Sequence, residues 1–353
     1  MIAADDARAR ARLAWWLGPW VSSTATPPDV VRTRLALGGG SYVYRSTRLA
    51  PRVAWLVSPG LHPDGPDDPR QDRFARVLAA AGALVLSPRS PTLTGLRLAA
   101  GAITDLAVAR AALAELHEAR GLPVRLVSPS VGSLAGLHLA ADPAAAITRT
   151  VMIGGYVDLA AQVQTLCNAD PVPRDPTNQP VVMATFLDHM PVTVADRAGL
   201  RAAWDAVTRE VWAVPGWARP GSVAHLDVVH RRAATVAAAD RDLFLIGCGV
   251  KPGGAALAAA ALATGAYRSH ELRPLLPAIT GELIAFHGPS DACVPIEQLD
   301  ALLAAAPRAR GHRLAGLAHA APHSLRDLLA ALSPAAAIAE LRAFAALVAA
   351  LAP

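Results

Sequence analysis

From Arg52 onward the hydrophobic positions alternate between short continuous runs and longer helically spaced stretches. Val53–Ser58 (VAWLVS) is an apolar, β-favouring run ending at Pro59-Gly60, the pattern of a strand buried on both faces. The spacing of Phe74, Val77 and Leu78 predicts a helix over Asp72–Ala81. Ala83–Leu86 predicts the next strand, closed by Ser87-Pro88. Thr104–Arg120 reads as a helix with Asp105 in its first turn and Gly121 as its stop. Val124–Val127 then predicts a strand, Gly132–Ala141 a helix, and Thr150–Ile153 a strand before Gly154-Gly155. This βαβαβαβ rhythm with short turns implies an α/β protein with a parallel, doubly wound sheet and right-handed crossovers.

The rhythm stops near Tyr156 and resumes at Leu283. The intervening stretch is irregular and helix-leaning, carries Trp204, Trp212 and Trp217, and is broken by proline and glycine over Val211–Gly221. Leu283–Phe286 then predicts a strand, Ile296–Ala306 a helix, Arg313–Leu317 a strand and Ala335–Leu351 a terminal helix. A mostly parallel sheet interrupted late by a helical excursion and then completed reads as one domain with an inserted cap. The expected division is 1–50 as an N-terminal segment and edge hairpin, 51–155 as the first part of the core, 156–280 as the helical cap, and 281–353 as the second part of the core. Ser41–Arg45, after Gly38-Gly39-Gly40, is expected in an antiparallel edge hairpin.

Composition narrows the picture. Hydrophobic residues are 53% of the chain, ample for a core, although alanine inflates the figure. The 33 basic and 28 acidic residues give +5, with Lys251 the one lysine. The arginines are dispersed and not interleaved with aromatics, which argues against a nucleic-acid surface. Cys167, Cys248 and Cys293 are scattered and odd in number, so neither a disulfide framework nor a standard zinc site is expected, and a reducing compartment fits. Asp5 and Asp6 precede a basic stretch with no apolar core of a signal peptide. The apolar runs Ala255–Ala266 and Ala343–Ala352 fall short of the ~20 residues of a membrane span. The expectation is therefore a cytoplasmic protein without a transmembrane segment. A basic, tryptophan-bearing stretch over 8–20 leaves peripheral membrane contact as the alternative to a terminal helix docked on its own domain.

Three places offer chemistry. Ser130 lies in Ser128-Pro129-Ser130-Val131-Gly132, between a predicted strand and a predicted helix, with small residues two before and two after it. Alone, this Ser-x-Gly reads equally as an inert turn serine. Asp291 lies in His287-Gly288-Pro289-Ser290-Asp291-Ala292-Cys293-Val294-Pro295, on a loop between strand and helix at the same sheet edge. Its plain alternative is a turn or helix-capping aspartate. His319 follows Asp291 by 28 positions, room for one helix and one strand. His323 competes with it but lies beyond Pro322, and the pair lacks the glutamate of an H-E-x-x-H metal helix. A serine hydroxyl is a weak nucleophile that needs an adjacent base, a group orienting that base, and amides for the oxyanion. The order Ser…Asp…His, with each residue at a strand end, meets that need.

Together these segments resemble the α/β-hydrolase superfamily over roughly Arg52–Tyr156 and Gly281–Pro353. Ser130 resembles the nucleophile elbow G-x-S-x-G, with Ser128 in place of the first glycine. The loop HG-x-x-D-x-x-V-P resembles the family's acid loop. The stretch Gly60-Leu61-His62-Pro63-Asp64-Gly65, followed by Arg70…Phe74-Ala75-Arg76-Val77-Leu78, is similar to uncharacterised bacterial esterase/lipase-like serine hydrolases. The resemblance implies Ser130 as nucleophile, Asp291 as acid and His319 as base, with oxyanion amides at Leu61 and Val131. Pro59 stands where that oxyanion loop often has histidine. It further implies a small-molecule acyl substrate, hydrolysis of an ester, thioester or amide, and no cofactor or metal. Trp204, Trp212, Trp217, Phe186 and Met190 of the insertion are candidates for an apolar cleft as well as for plain packing. A catalytically silent binding protein on the same scaffold, or an acyltransferase, are the alternatives.

Overall fold

The computed structural model describes residues 2–167, 177–213, 222–317, 319 and 333–353. Eight strands form one sheet: β1 (Val30–Leu35), β2 (Ser41–Ser46), β3 (Val53–Val57), β4 (Ala83–Ser87), β5 (Val124–Pro129), β6 (Ile147–Ile153), β7 (Glu282–His287) and β8 (Arg310–Arg313). Their order is β1-β2-β4-β3-β5-β6-β7-β8. The β1–β2 hairpin is antiparallel and β2 meets β4 antiparallel, whereas the pairs from β4 through β8 are parallel. Gly38, Gly39 and Gly40 fall in the hairpin turn, and β1 is the edge strand.

All five residues of β3 are buried, as a continuous apolar run predicts for a central strand. Val53, Trp55 and Val57 face one core, and Ala54 and Leu56 face the other, which follows from the two-residue period of the strand. Against the first face pack α1 (Ile2–Leu17), through Ala9 and Leu13, and α2 (Pro69–Ala80), through Ala75, Val77 and Leu78. The short α3 (Pro91–Thr94) follows β4. Against the second face pack α4 (Gly101–Glu115), through Leu106, Ala109 and Leu113, and α5 (Gly132–Ala141), through Ala135 and Leu139. Each fully buried leucine or valine contributes roughly 1.5–3 kcal/mol relative to exposure. An antiparallel hairpin leading into a parallel sheet of this order, with helices on both faces, is the α/β-hydrolase fold that the sequence predicts.

Two predicted boundaries move for identifiable reasons. The helix expected over Thr104–Arg120 begins at Gly101 and ends at Glu115, where Leu116 turns extended and His117–Ala119 forms a separate 3-10 turn. Asp105 therefore lies past the first turn, where its carboxylate accepts from the Ser90 hydroxyl and the Thr92 amide. The strand expected over Arg313–Leu317 lies at Arg310–Arg313. Leu317 N–H closes back onto Leu314 O, ending the strand in a turn.

Contacts divide the described chain into two compact units. The sheet unit comprises Met1–Gly95, Ala100–Val157 and Leu272–Pro353; the helical unit comprises Leu96–Ala99 and Asp158–Glu271. Within the helical unit lie α6 (Leu159–Cys167), α7 (Gln179–Phe186), α8 (Arg197–Trp212), α9 (Val223–Ala233), α10 (Arg241–Gly247) and α11 (Gly254–Ala263). Trp204, Phe186 and Phe244 are buried at its centre, and the Trp204 indole donates to Phe244 O at 3.1 Å. Met190 is likewise buried, so Trp204, Phe186 and Met190 pack inside this unit; Trp217 lies outside the described residues. Arg97 is held bidentately by Asp205 (2.7 and 2.8 Å), and Leu98 bonds Thr185 and His270, which ties the 96–99 segment to the helices.

The sheet unit closes with α12 (Glu297–Ala305) and a C-terminal helix (Pro334–Leu351). By length and composition, that last helix alone among the described residues is apolar enough to cross a membrane. Its Val348, Ala350 and Leu351 are buried in the core shared with α1, while Ile338 and Leu341 are exposed.

The packing of α5 on β5 is set by a small complementary pair. A Cβ on Gly136 of α5 would lie 2.2 Å from Ser128 Oγ and 2.9 Å from Ser128 Cβ on β5. Gly136→Ala is therefore expected to destabilise the protein by about 1–3 kcal/mol, the range for overpacking a core. Ser128→Gly in the same chain should recover most of that loss. Urea-unfolding midpoints of the two single variants and the double variant check it; additive losses would show that the two positions do not share this space.

Candidate active site

Ser130 occupies the turn between β5 and α5, and its backbone is left-handed, with φ +50°. An L-residue adopts this conformation only when its surroundings fix it. Here the Ser130 amide donates to Ile153 O on β6 (2.9 Å), and Ser130 O accepts from Ser133 N (3.0 Å) as α5 begins. The second small residue of the motif, Gly132, is required sterically, since a Cβ there would lie 2.9 Å from Pro59 O and 3.2 Å from Ser58 O. Ser58 Oγ donates to Gly132 O at 2.9 Å, joining the loop after β3 to the start of α5. Ser128, standing where the motif has its first glycine, is fully buried. Its hydroxyl has no hydrogen-bond partner among the described residues, and its bulk is taken up by the missing side chain of Gly136.

The structure brings Ser130, His319 and Asp291 together. Ser130 Oγ lies 2.8 Å from His319 Nε2. His319 Nδ1 lies 2.9 Å from Asp291 Oδ2 and 3.0 Å from Oδ1. With Nδ1–H directed at the carboxylate, Nε2 carries its lone pair toward the serine hydroxyl. Asp291 is buried, and Oδ1 also accepts from the amides of Cys293 (2.8 Å) and Val294 (2.9 Å). A buried carboxylate is tolerable only with such partners. The β5–β6 and β6–β7 registers, Pro129↔Ile153 and Ile153↔Phe286, put the ends of these three strands side by side. The loops bearing Ser130 and Asp291 therefore leave the sheet at the same edge, as expected of chemistry at the carboxyl ends of parallel strands.

Of the residues assigned to the oxyanion, Val131 immediately precedes α5 and Leu61 lies in the loop after β3. Both side chains pack against the second-face core. His323 lies outside the described residues. A pocket of about 310 Å³ lined by Arg45, Thr47, Arg48, Leu49, Ala83 and Glu118 lies at the opposite edge of the sheet and contains none of the candidate residues.

Three supporting residues were not singled out for these roles from sequence. His287, the last residue of β7, is buried; its Nε2 donates to Val294 O (2.8 Å) and lies 3.8 Å from Asp291 Oδ2. It braces the loop that carries Asp291. Glu340 of the C-terminal helix accepts the amides of Ala315 and Gly316, both at 2.7 Å, and so fixes the turn that leads to His319. Gly154 follows β6 with φ +55°, and a side chain there would be strained and would lie 3.1 Å from Asp291 Oδ2. His287 and Gly154 are detectable in sequence only as neighbours of a strand end; Glu340 carries no local signal.

No family model matches the chain, and no curated protein matches it in sequence. Solved structures do match it with low similarity. Est1E from Butyrivibrio proteoclasticus aligns at 12% identity over 89% of this chain and 99% of its own, with a TM-score of 0.47. A serine hydrolase from the polyaromatic-hydrocarbon-degrading bacterium Cycloclasticus zankles aligns at 13% identity over 89% and 96%, with a TM-score of 0.44. The esterase domain of a Rhodothermus marinus protein aligns at 16% identity over 89% and 96%, with a TM-score of 0.44. With identities and scores this low, the fold assignment rests on the chain's own strand order.

The strained turn has a measurable cost. Ser130→Gly and Ser130→Ala both delete the hydroxyl, but only glycine relieves the left-handed backbone. Ser130→Gly is expected to be the more stable of the two by about 1 kcal/mol. Equal denaturation midpoints would show that the turn is not under strain.

Burial holds His287 below the ordinary imidazole value of 6.5, against smaller opposing pulls from its bond to Val294 and from Asp291. A histidine kept neutral in the fold takes up a proton more readily once unfolded. Its stabilising contribution is thus complete above the unfolded value and declines as pH falls through that value toward the lowered folded one. Urea unfolding from about pH 7.5 down to about 5 should show this decline, and His287→Gln should flatten it. An unchanged slope in the variant would remove His287 from the account.

Proposed function

We propose that the protein is a serine hydrolase that cleaves a carboxylic ester of a small acyl substrate, with thioesters and amides as chemical neighbours, through an acyl-enzyme on Ser130. The observation that carries this reading is the unbroken hydrogen-bonded line from Ser130 Oγ through both nitrogens of His319 to Asp291, anchored on a left-handed strand-to-helix turn. An inert turn serine has no need of a base at 2.8 Å or of a carboxylate behind that base.

In the first step Ser130 Oγ attacks the carbonyl carbon as His319 Nε2 takes its proton. Asp291 keeps the imidazole in the tautomer with its proton on Nδ1 and offsets the positive charge that develops. The backbone N–H groups of Leu61 and Val131 receive the oxyanion, a contribution on the order of 3 kcal/mol per donor. The tetrahedral intermediate collapses, His319 returns the proton to the departing alkoxide, and an alcohol leaves. Water then attacks the acyl-serine by the reverse sequence, releasing the acid and restoring Ser130. Esters are favoured because their leaving group needs less protonation than an amine. If an alcohol or amine replaces water in the second step, the same residues perform acyl transfer, and product analysis separates the two.

The test is fluorophosphonate labelling of the purified full chain. Stoichiometric labelling is expected in the wild type and none in Ser130→Ala. His319→Ala and Asp291→Asn should each slow it by on the order of 10⁴-fold. A folded wild-type protein that does not label, or one that labels equally after Ser130→Ala, would overturn the proposal.

A further inference from the structure

Beside the relay lies a thiol that the hydrolytic scheme leaves unused. Cys293 is half-buried, two residues past Asp291, and its amide donates to Asp291 Oδ1 in the same turn. One ligand atom from each of Asp291, Cys293 and His319 lies within 4.8 Å of the others. The three offer carboxylate oxygen, thiolate sulfur and imidazole nitrogen, the donor set that suits zinc-like ions. Bond lengths of about 2.0–2.3 Å to a shared ion require ligand atoms to approach to within about 4.4 Å or less. Closing that gap calls for a rotation of the short Cys293 side chain and a small opening of the His319–Asp291 contact.

We propose that Asp291, Cys293 and His319 form an inhibitory site for a thiophilic divalent cation of the zinc or cadmium type. The inhibitory consequence rests on the hydrolase reading above; the coordination does not. The ion takes the space between His319 Nδ1 and Asp291 Oδ2, where the Nδ1–H hydrogen bond now lies. Binding releases one proton to solvent, from the Cys293 thiol; the ring proton of His319 moves from Nδ1 to Nε2, as in a neutral imidazole ligated through Nδ1, and water completes the coordination. No atom changes oxidation state. His319 then has a cation on Nδ1 in place of a proton shared with a carboxylate. Its Nε2 then carries the ring proton and no lone pair faces Ser130, so the general base is lost. Cys293 is the thiol suited to this role. Burial pushes the Cys167 thiol up to about 12 and the Cys248 thiol well above its ordinary value, which keeps both protonated.

The experiment is a cadmium titration of the full chain, followed by the ultraviolet charge-transfer band of a cadmium–thiolate bond. It is run on the wild type, Ser130→Ala and Cys293→Ala, alongside fluorophosphonate labelling with and without the ion. The expected result is a band saturating at one ion per chain in the wild type and in Ser130→Ala, and no band in Cys293→Ala. Saturating cadmium should slow wild-type labelling by about 100-fold or more, reversed by chelation, because it removes the general base. In Cys293→Ala the rates with and without the ion should differ by less than about twofold. A folded wild type with no band, a band that survives Cys293→Ala, or equal inhibition of both proteins would overturn the proposal. The band in Ser130→Ala reads the metal site without reference to acylation. A band without any metal-free labelling would therefore refute the hydrolase reading, and with it the inhibitory role, while leaving the coordination in place.

Discussion

The chemistry of the sheet unit depends on one constrained residue, Ser130, whose left-handed backbone turns β5 into α5. An L-residue there costs about 1–2 kcal/mol, so the surrounding bonds must impose it. They do so from two sides: Ile153 O on β6 captures the Ser130 amide, and the first turn of α5 captures its carbonyl. Close packing of Gly132 on the backbone of Ser58 and Pro59 leaves α5 little freedom to relax. The hydroxyl is thereby held within hydrogen-bond distance of His319 Nε2. The same ladder that supplies Ile153 O sets the position of Gly154, whose missing side chain makes room for Asp291.

Asp291 and His319 are fixed by separate braces. Asp291 is buried and stabilised by the amides of Cys293 and Val294, on a loop whose far side is tied to His287. His319 follows a turn whose two amides are bound by Glu340. Each member of the relay thus answers to its own secondary element: Ser130 to β5 and α5, Asp291 to β7, and His319 to the C-terminal helix. This arrangement spaces the three side chains from separate parts of the fold. It also leaves a thiol two residues from the carboxylate, and the inhibitory ion site inferred above draws on that proximity.

Much of the architecture was legible because parallel strands buried on both faces read as uninterrupted apolar runs. VAWLVS gave β3 within one residue, and the runs Ala83–Leu86, Val124–Val127 and Leu283–Phe286 gave β4, β5 and β7 within two residues at each end. Ser130 and Asp291 were legible because each follows such a run, and His319 because it completes the order that the chemistry needs. What stayed hidden is tertiary. Ser128 looks like a damaged motif until Gly136, eight residues along on α5, is seen to leave room for it. The end of β8 was misplaced because its continuing apolar residues bond to a turn and to Glu340, and no local pattern announces that switch. The tryptophans of the insertion read as cleft or core with equal ease, and Trp204 proves to be core because its indole finds Phe244 O.

The central claim is that Ser130 carries an acyl group during turnover, and its most direct measurement is intact-protein and peptide mass spectrometry of rapidly acid-quenched reactions with an activated ester. The account predicts a burst of leaving group equal to the enzyme concentration, a mass increase of one acyl group, and its location on the peptide containing Ser130. Turnover without any acylated protein, or an acyl group found on Cys293 or another residue in place of Ser130, would contradict it.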